Sequence, residues 1–124
     1  MSSMFLDKAR ANLTVAQYCL ANGFYDACAN RAYYADFQAA ITALEHHGFA
    51  SRKNEHKWVQ SSFNGMLIKR RKIYPARFKS YLLDMLNVRN DADYFDKSVS
   101  KIIASHQQAK AEEFVEAITK ELSK

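Results

Sequence analysis

The segment Asn87-Val88-Arg89-Asn90-Asp91-Ala92-Asp93-Tyr94 gathers the side chains best suited to chemistry. Arg89 falls in register with Phe78, Leu82 and Met85, where a helix turned to a core would carry another apolar residue. A guanidinium is always charged, so one directed inward needs a partner. Asp93, one turn later, is the nearest candidate. One reading is an internal ion pair that holds the helix end, with Tyr94 packed beside it. The other is an anion site, in which Arg89 grips a phosphate while Asp93 or Tyr94 orients or hydrogen-bonds the ligand. Spacing alone leaves both open.

The one dense basic run is Lys69-Arg70-Arg71-Lys72. It reads either as a phosphate-contacting RNA surface, aided by Arg52, Lys53 and Arg77, or as a solvated helix C-terminus whose cations meet the dipole. The net charge of +5 makes an anionic partner plausible without establishing one. Adjacent His46 and His47 diverge on a helix and cannot easily face one ion. His56 suits the start of a helix, as a cap or a packing residue. His106 is expected to be partly buried and hydrogen-bonded. No spacing of His or Cys suggests a metal site, and Cys19 and Cys28 read as small buried thiols. No glycine-rich phosphate loop or Gly-x-Ser-x-Gly elbow is present. No metal and no cofactor are therefore expected.

The elements that must position these residues are helical. The chain has 124 residues, enough for one domain with its own core, and only three Gly and one Pro, too few for the turns of an all-β fold. Apolar periodicity predicts a single all-α domain over 1–124, an antiparallel bundle of about five helices. Helix 1 is expected over about 3–21 and helix 2 over 25–47, each stopped by a glycine. Helix 3 should cover about 55–71, and Pro75 should sit in the first turn of helix 4. Helix 5, capped by Ser98 or Ser100, should run to about Leu122 with Ile102 and Ile103 turned inward. No apolar run approaches the ~20 residues of a membrane span, and residues 1–7 lack the features of a signal peptide, so a cytoplasmic location is expected.

With these features in place, the chain resembles the HEPN domain, a small helical family named for higher eukaryotes and prokaryotes and for nucleotide binding. The likeness rests on Ala9 to Leu20, on Gly23-Phe24-Tyr25-Asp26-Ala27 and on the run from Asn30 to Ala40. His56 with Val59 and Phe63, Arg89-x-x-Ala92-Asp93-Tyr94 and the final helix through Phe114-Val115 complete it. The resemblance implies a helical bundle that forms a homodimer. It places Arg89, Asp93 and Tyr94, with Arg31 and Tyr34 of helix 2, at a ligand site.

In nuclease members of that family, an Arg followed by a short polar spacer and a His forms a metal-free ribonuclease site. Here Tyr94 stands where the shortest form of that motif carries His, and no His occurs between residues 57 and 105. A phenol with a pKa near ~10 is a poor proton shuttle at neutral pH. The resemblance thus implies first a nucleotide- or RNA-binding protein of a toxin–antitoxin or defence-type module, with a small nucleotidyltransferase-like partner. A second expectation is an active, metal-independent ribonuclease toxin using Arg89, Asp93 and Tyr94, together with a spatially adjacent His. A third is a non-catalytic interaction module in which Arg89 and Asp93 only stabilise the bundle.

Overall fold

A computed structural model of the protein describes residues 4–50, 53–94 and 98–124. Five α-helices and one π-helical segment account for its regular structure. They are α1 (Met4–Ala21), α2 (Tyr25–His46), α3 (His56–Ser62), the π-helix (Phe63–Arg70), α4 (Phe78–Tyr94) and α5 (Lys101–Leu122). No strand occurs among the described residues. The glycine stops work as expected. Gly23 and Gly48 take positive φ, and each begins a paired C-terminal lock: Phe24 N–H to Cys19 C=O at 2.8 Å, and Phe49 N–H to Leu44 C=O at 2.8 Å.

Helix α2 is the axis of the bundle and packs against every other element. Its alanines explain why: Ala29, Ala32, Ala35, Ala39, Ala40 and Ala43 are all buried, and their small side chains let neighbouring helices approach from several sides. Helix α1 returns antiparallel to α2. Helix α4 also runs against it, since Arg89 near its end meets Tyr34 while Asp93 meets Asn30 nearer the start of α2. Helix α5 runs parallel to α2, with Cys28 beside Ala104 and Gln108. At the far end Phe63, Tyr74, Phe78 and Phe114 form an aromatic core, with ring centroids 5.0 Å apart for Phe78 and Phe114.

Three local expectations change. The predicted third helix is α-helical only to Ser62 and then widens into a π-helix, which also breaks the expected run to Arg71. It also travels in the same direction as α2, not antiparallel to it: His56 lies against Phe37, whereas Arg71 lies over Phe49. The connection after α2 is long enough to return along that helix, so α3 starts beside the middle of α2. Pro75 precedes α4 instead of opening it; its carbonyl accepts from Phe78 N–H at 3.1 Å in a turn before the helix.

On α5 the apolar face is rotated from the expected one. Ala104, Ala111, Phe114, Val115 and Ile118 are buried, while Ile102 and Ile103 are exposed at 70% and 42%. His106 is likewise exposed, because the buried positions on that turn are Gln107 and Gln108. Ser100 caps this helix, its Oγ accepting from Ile103 N–H at 3.1 Å. Cys19 and Cys28 are free and buried, and burial pushes the Cys28 thiol up to about 11, which makes it unreactive.

Candidate functional site

Helix α4 delivers Arg89 one turn beyond its last fully buried residue, Met85, so the side chain leaves the core along the face of α2. Its side chain is only 14% exposed. Nη2 donates to the Tyr34 hydroxyl at 3.0 Å, and Nη1 donates to Asn90 Oδ1 at 3.1 Å. The guanidinium carbon lies 5.3 Å from the ring centres of both Tyr34 and Tyr94, so two aromatic rings face the cation. Tyr94 is the weaker partner. Its hydroxyl is 3.5 Å from Nη2, and the residue is 69% exposed.

An Arg89–Asp93 ion pair, one of the two readings that spacing left open, is present. Arg89 Nε lies 3.0 Å from Asp93 Oδ2. That contact is Coulombic without being an aligned hydrogen bond, since Nε has no hydrogen-bond partner. The same carboxylate oxygen accepts from Asn30 Nδ2 at 2.9 Å, which ties the end of α4 to α2. Asp93 therefore neutralises Arg89 in the unliganded protein, yet it sits at the surface with one poorly aligned contact to the cation.

Of the other sequence-based candidates, Tyr34 joins the cluster and Arg31 does not. Arg31 turns to α1, where Nη1 donates to Asn12 Oδ1 at 3.3 Å. The basic run Lys69–Lys72 lies at the opposite end of the bundle. Arg71 covers Phe49 beyond the end of α2, and Phe49 binds the Leu44 carbonyl, about 15 Å along that helix from Tyr34. Arg52 lies outside the described residues.

One residue read from the sequence only as a cap or packing residue at the start of a helix belongs to this site. His56, at the start of α3, packs on the same aromatic group, with ring centroids 4.5 Å from Phe37, 5.5 Å from Tyr33 and 6.2 Å from Tyr34. Its Nδ1 is hydrogen-bonded to the Tyr33 hydroxyl. Burial pushes the Tyr33 phenol far above its usual pKa, so it keeps its proton at neutral pH. The hydroxyl gives that proton to Nδ1 or accepts one from it, according to the imidazole tautomer. In the tautomer protonated on Nδ1, Nδ1–H donates to the Tyr33 hydroxyl and Nε2 is a free acceptor with no hydrogen-bond partner among the described residues. Burial, and secondarily the charge of Arg89, hold the His56 pKa below its ordinary value. The separation of 33 positions between His56 and Arg89 hid this pairing; only the signal that His56 heads a helix was visible.

This coupling is directly measurable. In a proton-NMR titration, His56 should titrate below 6.5, and Arg89→Gln should move its midpoint upward. An unchanged midpoint in the variant would mean that the guanidinium does not act on the imidazole. Because the folded-state pKa is depressed, the unfolded chain takes up the proton first. The associated stability is present above the unfolded pKa and is lost as pH falls through it towards the folded value.

Among the described residues no group of three or more His, Cys, Asp or Glu is placed to hold a metal ion, and no helix is long and apolar enough to cross a membrane. The chemistry available is thus a cation between two phenols, a surface carboxylate and a neutral imidazole. A comparison with curated proteins found no match. The family model for the HEPN domain matches residues 2–122, nearly the whole chain, and the protein belongs to the HEPN domain family.

Proposed function

We propose that the Arg89 cluster is an anion site through which the protein binds a nucleotide or single-stranded RNA. Membership in the HEPN family supports a nucleotide- or RNA-related function in general. The observation that carries the finer reading is the setting of Arg89. Its cation is held between two aromatic rings, one of them exposed, and is balanced by a surface carboxylate that makes no aligned bond to Nε. A phosphate can take the place of Asp93 at the guanidinium, and Tyr94 can stack on a base. Asp93 and Tyr94 then act as gate and platform, with Tyr34 fixing the orientation of the guanidinium.

Within this reading the protein works as a homodimer in a toxin–antitoxin or defence-type module, beside a small nucleotidyltransferase-like partner. Exposed Tyr94 is the hydroxyl such a partner could modify. The test is a titration of purified protein with ATP and with a short single-stranded RNA. Saturable binding that weakens as salt rises is expected; silence towards both ligands would remove the proposal.

A second reading, metal-independent ribonuclease activity, is favoured by His56. With Nδ1–H donated to the Tyr33 hydroxyl, Nε2 of a neutral imidazole next to Tyr34 is the base that the Arg89–Tyr94 segment lacks. In that reaction the RNA 2′-hydroxyl gives its proton to His56 and attacks the adjacent phosphate. Arg89 stabilises the added negative charge as the 5′-oxygen leaves, taking up a proton. Cleavage of single-stranded RNA that His56→Ala and Arg89→Ala both abolish would select this reading over binding alone. Intact RNA after prolonged incubation with the wild-type dimer would reject it.

A further inference from the structure

A second site is built where the π-helix meets the start of α4. A cavity of about 740 Å³ opens there, lined by Ser61, Asn64, Gly65, Ile68, Lys69, Lys72, Tyr74, Ala76 and Lys79. That volume is within the ~300–1,000 Å³ of small-molecule sites. Lys79 is ten residues before Arg89 on α4, about 15 Å along the helix, so the cavity is separate from the Arg89 cluster.

Three features of the wall specify an occupant. First, Lys69, Lys72 and Lys79 supply three ammonium groups and the lining holds no acidic residue. None of the three forms an ion pair among the described residues. Second, two buried polar atoms of lining residues have no partner: Asn64 Oδ1 and the Tyr74 hydroxyl, on a tyrosine only 4% exposed. Asn64 cannot turn its amide cheaply, because Nδ2 already donates to the Lys79 carbonyl at 3.2 Å. Its oxygen is thus an unsatisfied acceptor within the cavity wall.

The third feature is Gly65. Gly23 and Gly48 occupy left-handed backbone positions, but Gly65 lies inside the π-helix with no such demand. A Cβ added there would meet nothing within 4 Å. Neither backbone conformation nor packing within the chain calls for glycine, although glycine weakens a helix interior. Its effect is to leave the cavity wall bare.

We infer that this cavity binds a small amphipathic organic anion, with its phosphate or carboxylate among Lys69, Lys72 and Lys79 and its apolar body over Gly65 and Ile68. The site uses part of the basic run that the Arg89 cluster does not reach, and it is independent of that cluster's ligand.

Heteronuclear NMR of the full chain tests this with four probes: 4-aminophenyl phosphate, 4-aminobenzoate, inorganic phosphate and neutral 4-aminobenzyl alcohol. Saturable shifts of the Asn64 and Gly65 amides are expected with the two aryl anions. Comparing those two distinguishes a phosphate ligand from a carboxylate ligand. Inorganic phosphate should bind about tenfold more weakly or worse, and the neutral probe should not saturate. Gly65→Met fills the cavity from an open position and should remove aryl-anion binding while the fold persists. Lys69→Gln combined with Lys79→Gln should weaken it at least about tenfold, and Arg89→Ala should leave it unchanged. Equal saturation by the neutral probe, undiminished binding in Gly65→Met, or no saturation by either aryl anion would overturn the inference.

Discussion

Asp93→Asn is expected to tighten nucleotide or RNA binding at Arg89 while slightly weakening the fold. In the free protein the carboxylate stands 3.0 Å from Arg89 Nε and offsets its charge. An incoming phosphate must displace that carboxylate and also approach it, so the native pair opposes the ligand twice. Asparagine keeps the size and can still accept from Asn30, but it removes the negative charge. The gain should be several-fold, on the order of 1 kcal/mol, the scale of a partly solvated ion pair. The loss of stability should be ~0.5–1 kcal/mol for the same reason.

The counterpart, Arg89→Ala, removes a charge-assisted bond to Tyr34 and both cation–aromatic contacts. It should lower affinity by about tenfold or more and stability by ~1–3 kcal/mol. Fluorescence titration and denaturant melts of the two variants separate the readings. Opposite changes in affinity support an anion site. Loss of stability in both, with no change in any binding, would make the Arg89–Asp93 pair only a brace between α4 and α2.

The second large effect concerns Asp36, which is wholly buried on α2 with no hydrogen-bond partner for either carboxylate oxygen. Burial raises its pKa well above the ordinary carboxylate range, and the charge of Lys110 offsets this only in part. In the unfolded chain the same group ionises near ~3.9. Between those two values the folded protein binds the extra proton. The stability linked to Asp36 is therefore full below about pH 4 and declines as pH rises towards the folded pKa.

Asp36→Asn cannot ionise and should be more stable than wild type at pH 7.5 by at least about 1 kcal/mol, or ~4 °C in Tm. The two proteins should converge near pH 3.5, where the wild-type carboxyl is protonated in both states. Thermal melts across that range decide the matter. A variant less stable at neutral pH would mean that Asp36 is ionised and held by Lys110. The site explains why a helix otherwise rich in buried alanine would tolerate a carboxyl only in its neutral form.

Much of the bundle was legible in the residue order. Gly23 and Gly48 marked the two stops that their backbone conformations require. Arg89 was legible as well, because a permanent charge in an apolar register has few explanations, and Asp93 one turn away is a local contact that helix geometry dictates. The errors fell where local pattern competes with tertiary packing. Ile102 and Ile103 look like core residues, but α5 turns its small face to Cys28 instead and leaves them exposed. The π-helix gives no sign in apolar spacing, since it alters the turn without changing which residues are apolar.

What the sequence determined by itself is the helical class, the family resemblance and the Arg89–Asp93–Tyr94 end of α4, all of which depend on local spacing within single helices. Only the tertiary structure decided that Tyr34 and Tyr94 face the Arg89 cation, that His56 joins the same aromatic cluster, and that the basic run does not. Those outcomes depend on the chain returning along α2 before α3 begins. That path sets His56 beside Tyr33 and carries Lys69–Lys72 to the far end, and no spacing within one helix encodes it.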